Sequence, residues 1–459
     1  MLESKRMADK PQLFGTDGVR GVAGQYPLDQ ETVWKLGSSI GTVLGRKSST
    51  QPLRVVLGED TRESSALISR ALAAGLRSSG LEVIYAGVIT TPGVAFLTRQ
   101  HRCAAGAMVS ASHNPYEDNG IKVLSSSGMK LAESVELDIE KQLEAISAPG
   151  ESPADSGLPA ELDLLNDYVE FLSQLVPDVK HLSRFRLVVD CAHGASSRVV
   201  PELLRRLGIE ARILNAAPNG RNINLGCGSL HPEAMARETQ AAAADLGVAF
   251  DGDADRAIFA TRQGRIADGD HVLYACARHL HQGGKLRGPG VVGTLMTNLG
   301  LELALARRGI SLRRTAVGDK YVLEEMLNSG INLGGEPSGH IIYSDISLAG
   351  DGLITMLQVL RVLEETGESL EGLVSELRPF PQIIRSVRVR EKPPLETLPA
   401  VAGAVADCQR EFGERGRVIV RYSGTEKVAR VMVEAEEAEV VERHATRIAA
   451  AIEADLGLR

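Results

Sequence analysis

The chain has 459 residues, with 51 Lys and Arg against 59 Asp and Glu for a formal charge of -8, and 43% of its residues are hydrophobic and 4% aromatic. At roughly 150 residues per domain this length suits about three globular units, each apolar enough to bury a core. The acidic balance excludes a nucleic-acid binder that works through a basic surface, since phosphate neutralisation needs clustered Lys and Arg, so an anionic ligand has to meet a local basic pocket.

The opening MLESKRMADKPQ lacks the apolar stretch of a signal peptide, and no later segment reaches 18 uninterrupted apolar residues, so a cytoplasmic protein without a membrane partner is expected. Short β-branched runs then alternate with helical patterns over three quarters of the chain, the signature of parallel sheets crossed over by helices. LRVVLGED (53 to 60) reads as a strand and residues 64 to 79 as a helix. LEVIYAGVI and AAGAMVSAS are the next strands, the latter running into a loop SHNPYEDNG. A spacer at 146 to 160, rich in Pro, Ser, Gly and Ala, marks a first boundary. FRLVVDCA (185 to 192) opens a second unit, which passes through the helix RVVPELLRRLG and ends with LGVAF running into DGDADR. GVVGTLM (290 to 296), the helix GLELALARRG and a Gly-rich loop at 334 to 340 repeat the theme. Clear strands begin near 53, 185 and 290, which suggests similar modules although no sequence repeat is visible. Beyond the helix DGLITMLQVLRVLEETG the character changes: from about 379 come IIRSVRVR, a helix near 396 to 411, RVIVRYSGT, VARVMVEAE and a final helix. The expected fold is α/β: three similar mixed α/β domains (1 to 158, 159 to 262, 263 to 378) and a smaller α+β C-terminal domain (379 to 459). Cys103, Cys191, Cys227, Cys276 and Cys408 are scattered, odd in number and form no CxxC pair, so neither a zinc site nor a disulfide framework is indicated.

Four stretches carry candidate chemistry. In Asp251-Gly252-Asp253-Ala254-Asp255-Arg256, at a strand exit, an extended chain would turn three carboxylates to one side about 7 Å apart. Their mutual repulsion is then roughly 2 to 3 kcal/mol per adjacent pair at an effective dielectric near 20, which calls for a positive charge between them. Hard oxygens with no His or Cys nearby favour Mg²⁺ or Ca²⁺ over zinc. The calcium loop needs Gly at its sixth position and Glu at its twelfth, and Arg256 and Arg262 stand there. An acidic solvated turn is the plain alternative; the buried-strand context and the small Gly252 and Ala254 favour Mg²⁺.

Ser112, in Ser110-Ala111-Ser112-His113-Asn114-Pro115, is placed as an exposed nucleophile where an apolar strand gives way to a loop, or belongs to an ordinary Asn-Pro turn. The GxSxG surround of a hydrolase elbow is missing. Lys122 is either a cationic acid/base or a solvated strand residue. Gly335-Glu336-Pro337-Ser338-Gly339-His340 offers donors and acceptors suited to sugar hydroxyls, or is a surface turn. Arg421-Tyr422-Ser423-Gly424-Thr425-Glu426, with Arg430, combines backbone N–H groups, hydroxyls and guanidinium donors into a phosphate cradle, or is a hairpin with solvated charges. No Walker loop is present in the chain.

Together these stretches resemble the α-D-phosphohexomutase family along essentially the whole chain: FGTDGVRG at 14 to 21, SASHNP at 110 to 115, DGDADR at 251 to 256, GEPSGH at 335 to 340 and RYSGTE at 421 to 426. The resemblance implies four domains around one cleft, with the last closing as a hinged lid. It implies that Ser112 is phosphorylated, that Asp251, Asp253 and Asp255 with the phosphoserine hold one Mg²⁺ per subunit, and that Arg20, Lys122 and Arg256 act near the transferring phosphoryl group. It assigns Glu336, Ser338 and His340 to the sugar, and Arg421, Ser423, Gly424, Thr425 and Arg430 to the substrate phosphate. The implied partner is a small sugar phosphate and the implied state a monomer or homodimer. The reaction moves phosphate between O6 and O1 of a hexose, with a hexose 1,6-bisphosphate as intermediate and activator.

Within the family, FGTDGVRG, GTLMTNLGLELAL (293 to 305) and AVGDKYVLEEM (316 to 326) are most similar to bacterial enzymes that isomerise glucosamine 6-phosphate to glucosamine 1-phosphate for peptidoglycan precursors. That branch usually has Gln where Pro337 stands, Pro where Lys427 stands and Gly where Ala254 stands. The first departure keeps a phosphomannomutase/phosphoglucomutase acting on neutral sugars as the alternative. A silent sugar-phosphate sensor would have lost Ser112 or a metal carboxylate, and a haloacid-type phosphatase would need Thr or Val where its DxDx motif ends.

Overall fold

The computed structural model describes residues 11–15, 17–46, 53–147, 157–176, 182–413, 415–423 and 427–457. The first sheet contains β1 (Val19–Val22), β2 (Arg54–Glu59), β3 (Glu82–Val88), β4 (Ala105–Val109) and β5 (Asp118–Ser125), ordered β1-β5-β4-β2-β3. β2 runs parallel to β3 and β4, while β5 is antiparallel to β4 and β1. The second sheet repeats that order as β10-β9-β8-β6-β7, from β6 (Arg186–Asp190), β7 (Glu210–Leu214), β8 (Leu246–Phe250), β9 (Ala257–Ala260) and β10 (Ile266–Ala267). Here β6 is parallel to β7 and β8, and β9 antiparallel to β8 and β10. Further along come β11 (Gly290–Thr294), β12 (Ser311–Thr315), β13 (Leu333–Gly335) and β14 (Ile341–Tyr343), with β13 parallel to β11 and antiparallel to β14.

The expected modular repeat is therefore real at the level of connectivity. β4, β8 and β13 hold the same place in their modules: each pairs in parallel with an earlier strand and antiparallel with the next. All residues of β4, β8 and β13 are buried, which is why they read as unbroken apolar or small-residue runs without alternation. Three of the candidate loops leave the carboxyl ends of these three strands, the usual place for a site in an open α/β sheet.

The last sheet is antiparallel, β15 (Gln382–Arg388), β17 (Val428–Ala435) and β16 (Gly416–Tyr422) in that spatial order. Its core includes Val387, Val431, Val433, Ile448 and Ile452. The contacts divide the chain into two compact units, residues 1–295 with 313–374 and residues 296–312 with 375–459.

Local details correct the sequence reading in places. The loop after β4 is shorter than SHNPYEDNG, because Asp118, Asn119 and Gly120 already belong to β5. Strand pairing on both sides overrides the turn tendency of Asn-Gly there, and a Cβ at Gly120 would lie 2.7 Å from the Ser110 carbonyl oxygen. The helices Gln30–Arg46 and Ser65–Ser78 cross closely through glycines, since a Cβ at Gly75 would sit 2.1 Å from the Trp34 carbonyl oxygen. Of the spacer at 146 to 160, residues 148–156 lie outside the described residues.

Candidate active site

Ser112 follows β4 by three residues and is 1% exposed, so the expected solvent-facing nucleophile is in fact buried. Its φ of 54° lies in the left-handed region, a conformation that costs a non-glycine residue about 1 kcal/mol and persists only where its surroundings hold it. Its N–H donates to Ser110 Oγ at 2.9 Å, and Ser110 Oγ donates to Asp60 Oδ2 at 2.7 Å. Its own Oγ donates to Asp251 Oδ2 at 2.5 Å. His113 Nδ1 is 3.4 Å from that Oγ and also receives Arg256 Nη1 at 3.1 Å. Burial, with Arg256 and Arg20 nearby, pushes the His113 imidazole down to about 4, so it is a neutral acceptor already engaged by a guanidinium. No serine–histidine couple is built here.

Asp251, Asp253 and Asp255 present oxygens that all lie within 4.8 Å of one another, a group that could hold a metal ion. They do not converge by lying on an extended strand, as spacing suggested. The segment turns, with Ala254 at φ 57° and its N–H on the Asp251 carbonyl oxygen at 3.1 Å. At that separation, repulsion between two carboxylates is about 3 kcal/mol at an effective dielectric near 20. Part of the balancing charge comes from Lys122, which is 3% exposed and places Nζ 2.7 Å from Asp253 Oδ2 and 3.2 Å from Asp255 Oδ2. Lys122 is thus a buried ion-pair partner and no solvated strand residue. Burial alone would lower its pKa, but Asp17, Asp253 and Asp255 together hold it well above the ordinary value. Asp255 shows the complementary balance: burial, the largest influence, raises it, but Lys122, His340 and Arg256 together outweigh burial, so its carboxyl stays well below its usual range. Asp251, penalised by burial and then by Asp255 and Asp253, is pushed up. Thr91 Oγ1 donates to Asp253 Oδ2 at 2.5 Å. Asp253 Oδ1 and Asp255 Oδ1 are buried with no hydrogen-bond partner among the described residues. Orphaned carboxylate oxygens at this spacing fit a hard divalent cation.

The chain between the first two acids is packed as tightly as the acids themselves. A Cβ at Gly252 would lie 2.5 Å from the Ser112 carbonyl oxygen and 3.0 Å from Asn224 Nδ2. Gly252→Ala must push the Ser112 loop away from the triad by about 1 Å, a misplacement that costs on the order of a hundredfold in rate. Steady-state kcat beside a thermal melt checks this: the expected result is a folded protein with that loss, and activity within threefold of the parent would contradict it.

Around this centre Arg20 pairs with Asp17. Lys130 Nζ bridges Asp17 Oδ1 at 2.8 Å and Asp319 Oδ1 at 2.7 Å. Although burial raises it, the Asp17 carboxyl is held well below the carboxylate range by Lys122, Lys130 and Arg20.

Residues 336–340 form the turn between β13 and β14. Gly339 adopts φ 90°, and a Cβ there would meet the Ala257 carbonyl oxygen at 2.3 Å, which ties the turn to the strand that follows the acidic triad. Ala257 N–H donates to the Gly339 carbonyl at 3.1 Å. Glu336 Oε1 accepts from Gly318 N at 3.1 Å, whereas Ser338 Oγ is buried without a partner among the described residues. His340 is 6% exposed, with Nδ1 3.7 Å from Asp255 Oδ1 and Nε2 3.8 Å from Asp319 Oδ2. Burial works against its charge, but Asp255, Asp319 and Glu336 outweigh burial and raise it to about 9, leaving an imidazolium at neutral pH. Lys122, Lys130, Asp255, Asp319 and His340 line a cavity of about 600 Å³, a size suited to a small ligand.

In the smaller unit, Arg421 on β16 stands directly opposite Arg430 on β17. Like charges in that register are unfavourable without an anion, and burial, then Arg430, lowers the Arg421 pKa. Ser423 N–H closes the hairpin onto the Val428 carbonyl at 2.8 Å, and Lys392 Nζ donates to the Ser423 carbonyl at 2.7 Å. Gly424 and Thr425 lie outside the described residues.

The larger unit thus brings Ser112, Lys122, Arg256, the three aspartates and His340 into one charged network, with Arg20 joined through Asp17. Sequence reasoning did not single out Asp17, Asp60, Arg62, Thr91, Lys130, Asn224 or Asp319. Asp17 and Asp319 sit inside quoted motifs. Asp60 and Arg62 follow directly from the carboxyl end of a parallel strand, a position that could have drawn notice.

Residues 11–149, 166–264 and 268–380 match the models for the α/β/α domains I, II and III of phosphoglucomutase/phosphomannomutase, and residues 385–451 match the model for its C-terminal domain. A phosphoglucosamine mutase of Koribacter versatilis (strain Ellin345) is 50% identical over 98% of this chain and 99% of its own length. That of Solibacter usitatus (strain Ellin6076) is 48% identical over 97% and 99%. Among solved structures, a phosphoglucomutase/phosphomannomutase family protein from Burkholderia thailandensis matches at TM-score 0.77 with 23% identity, covering 97% of this chain and 99% of its own. The Aspergillus fumigatus N-acetylphosphoglucosamine mutase in complex with GlcNAc-6P and magnesium matches at 0.65 with 19% identity over 96% of each chain.

Proposed function

Because the chain belongs to the phosphoglucomutase/phosphomannomutase family of phosphohexomutases, we propose that it interconverts glucosamine 6-phosphate and glucosamine 1-phosphate through phosphorylated Ser112 and a hexosamine 1,6-bisphosphate. The single observation that carries the phosphotransfer chemistry is Ser112 Oγ, 2.5 Å from a carboxylate of the buried triad. The amino-sugar substrate rests on eight relatives, 41 to 50% identical over 92 to 98% of the chain, each a phosphoglucosamine mutase. The five cysteines are free and buried, which supports a reduced, cytoplasmic setting, and no described helix is long and apolar enough to cross a membrane.

In the proposed cycle the phosphoryl group leaves Ser112 Oγ for the free hydroxyl oxygen of the sugar, the bisphosphate reorients, and its other phosphoryl group returns to Ser112. Asp251, Asp253 and Asp255 would hold Mg²⁺, which supplies positive charge to the transferring group. Lys122, kept protonated by its acidic neighbours, donates to phosphoryl or bridging oxygens, and Arg20 and Arg256 add charge beside it. Burial of Ser112 keeps water from the phosphoester. The cationic His340, with Glu336 and the unsatisfied Ser338 Oγ, binds the sugar. Arg421, Ser423, Gly424, Thr425 and Arg430 grip the phosphate that is not being transferred. Since that grip must serve either end of the sugar, it reads phosphate geometry and ignores the adjoining carbon.

One observation favours a second reading. Pro337 offers no side-chain amide, and its carbonyl is already taken by Gly269 N–H at 3.1 Å, which weakens recognition of a C2 amine and suits neutral hexose phosphates. kcat/KM for glucosamine 6-phosphate, glucose 6-phosphate and mannose 6-phosphate, with Mg²⁺ and a hexose 1,6-bisphosphate primer, decides between them. The expected preference for the amino sugar is at least about a hundredfold, equivalent to roughly 2.7 kcal/mol of transition-state discrimination. Equal or better turnover of the neutral sugars would move the assignment to a phosphomannomutase/phosphoglucomutase.

A further inference from the structure

We infer that Asn224 is a positioning residue for phosphoryl transfer, clamping the Ser112 loop to the module that carries the acidic triad; this rests on the reading of Ser112 as the phosphoryl carrier. The carbonyl oxygens of Ser112 and Asn114 each accept two hydrogen bonds from the same two side chains. Arg62 Nη2 reaches both at 2.9 Å, and Asn224 Nδ2 reaches them at 2.9 and 3.1 Å. Arg62 comes from the first module. Its fully buried guanidinium is paired with Asp60 at 2.8 Å, the carboxylate that also receives Ser110 Oγ.

Asn224 comes from the second module, from the long connection between β7 and β8, and so shares a module with Asp251, Asp253 and Asp255. Its φ of 58° lies in the left-handed region that Asn tolerates better than most residues, and its N–H is fixed on the Ala192 carbonyl at 2.9 Å. The same connection is pinned to the first module by Glu63, whose N–H donates to the Gly220 carbonyl at 2.9 Å and whose carboxylate pairs with Arg221 at 2.7 Å. Gly252, between the first two acids, lies against both the Ser112 carbonyl and the Asn224 amide. The Asn224 amide therefore sets how far the nucleophile stands from the triad and holds Ser112 in its left-handed conformation, whether or not Oγ carries a phosphoryl group. With two donors on each, the Ser112 and Asn114 carbonyls are both fully engaged by side chains from the two modules.

Two variants separate this role from general stability. Asn224→Gly keeps the left-handed backbone and deletes the amide; Asn224→Asp keeps the shape and turns an acceptor toward two carbonyls. Their kcat, KM for glucosamine 6-phosphate and Mg²⁺ midpoint are compared with the parent, together with hydrogen exchange of the amides at 110 to 118. The expected result is a kcat reduced about 10- to 100-fold for the glycine variant and further for the aspartate, with KM and the Mg²⁺ midpoint within threefold and loop exchange at least fivefold faster. A kcat within threefold of the parent in both variants, or unchanged loop exchange, overturns the clamp, as does a rise in KM at constant kcat. Should the parent itself not turn over glucosamine phosphates, the functional reading fails, while the exchange measurement still decides the clamp.

Discussion

Ser112→Ala is expected to abolish interconversion of glucosamine 6-phosphate and glucosamine 1-phosphate, lowering kcat at least about 10⁴-fold, or roughly 5.5 kcal/mol of activation free energy. No neighbouring group substitutes for the lost oxygen: His113 is a weak neutral base already bound by Arg256, and Ser110 Oγ is committed to Asp60. The fold survives. The variant forfeits the 2.5 Å hydrogen bond to Asp251, a loss on the order of 1 to 3 kcal/mol for a buried acceptor. Coupled assay of product, beside circular dichroism and a urea melt, checks both parts. Turnover within tenfold of the parent by folded Ser112→Ala protein would remove Ser112 from the mechanism.

Asp253→Asn is expected to lower kcat/KM by about 10³-fold while leaving the protein folded, and to erase its thermal response to Mg²⁺. Asp253 offers one oxygen to Lys122 and Thr91 and leaves the other buried without a partner among the described residues. Removing its charge relieves repulsion within the triad and loses attraction to Lys122, terms of similar size and opposite sign. Stability in chelator should therefore shift by only about 1 to 2 kcal/mol. In the parent, Mg²⁺ that binds only the folded state raises the melting temperature in proportion to the logarithm of its concentration. A variant that keeps this Mg²⁺-dependent rise, or that keeps its activity at limiting Mg²⁺, would contradict the metal assignment.

Each candidate motif stood out because it is local: an apolar strand, a turn and two or three chemically distinctive residues within six positions. Their assembly was not. The contact of Ser112 with Asp251 spans 139 residues and that of Ser112 with Asn224 spans 112, separations on which residue spacing carries no information. The aspartates show how a right expectation can have a wrong cause. They do converge, but through a turn at Ala254, and part of the compensating positive charge is Lys122, whose burial no strand pattern could distinguish from a solvated face. The three-module plan was visible only as a rhythm of strands and helices. Its physical basis is the shared pairing of β4, β8 and β13, which depends on which strands adjoin and leaves no repeat in the residues. Asn224 and Arg62 escaped notice for a related reason, since each acts on backbone carbonyls that any sequence provides.

The central claim is that one phosphoryl group passes between Ser112 and sugar oxygens. It is tested most directly by priming the enzyme with a hexose bisphosphate bearing ³²P, removing excess primer, and following the label through a single turnover with unlabelled glucosamine 6-phosphate and Mg²⁺. The label should start on the peptide containing Ser112 and move into sugar bisphosphate and glucosamine 1-phosphate, with little inorganic phosphate. Label that stays on the protein, or that emerges chiefly as inorganic phosphate, would contradict the account and point to an inert phosphoprotein or a phosphatase.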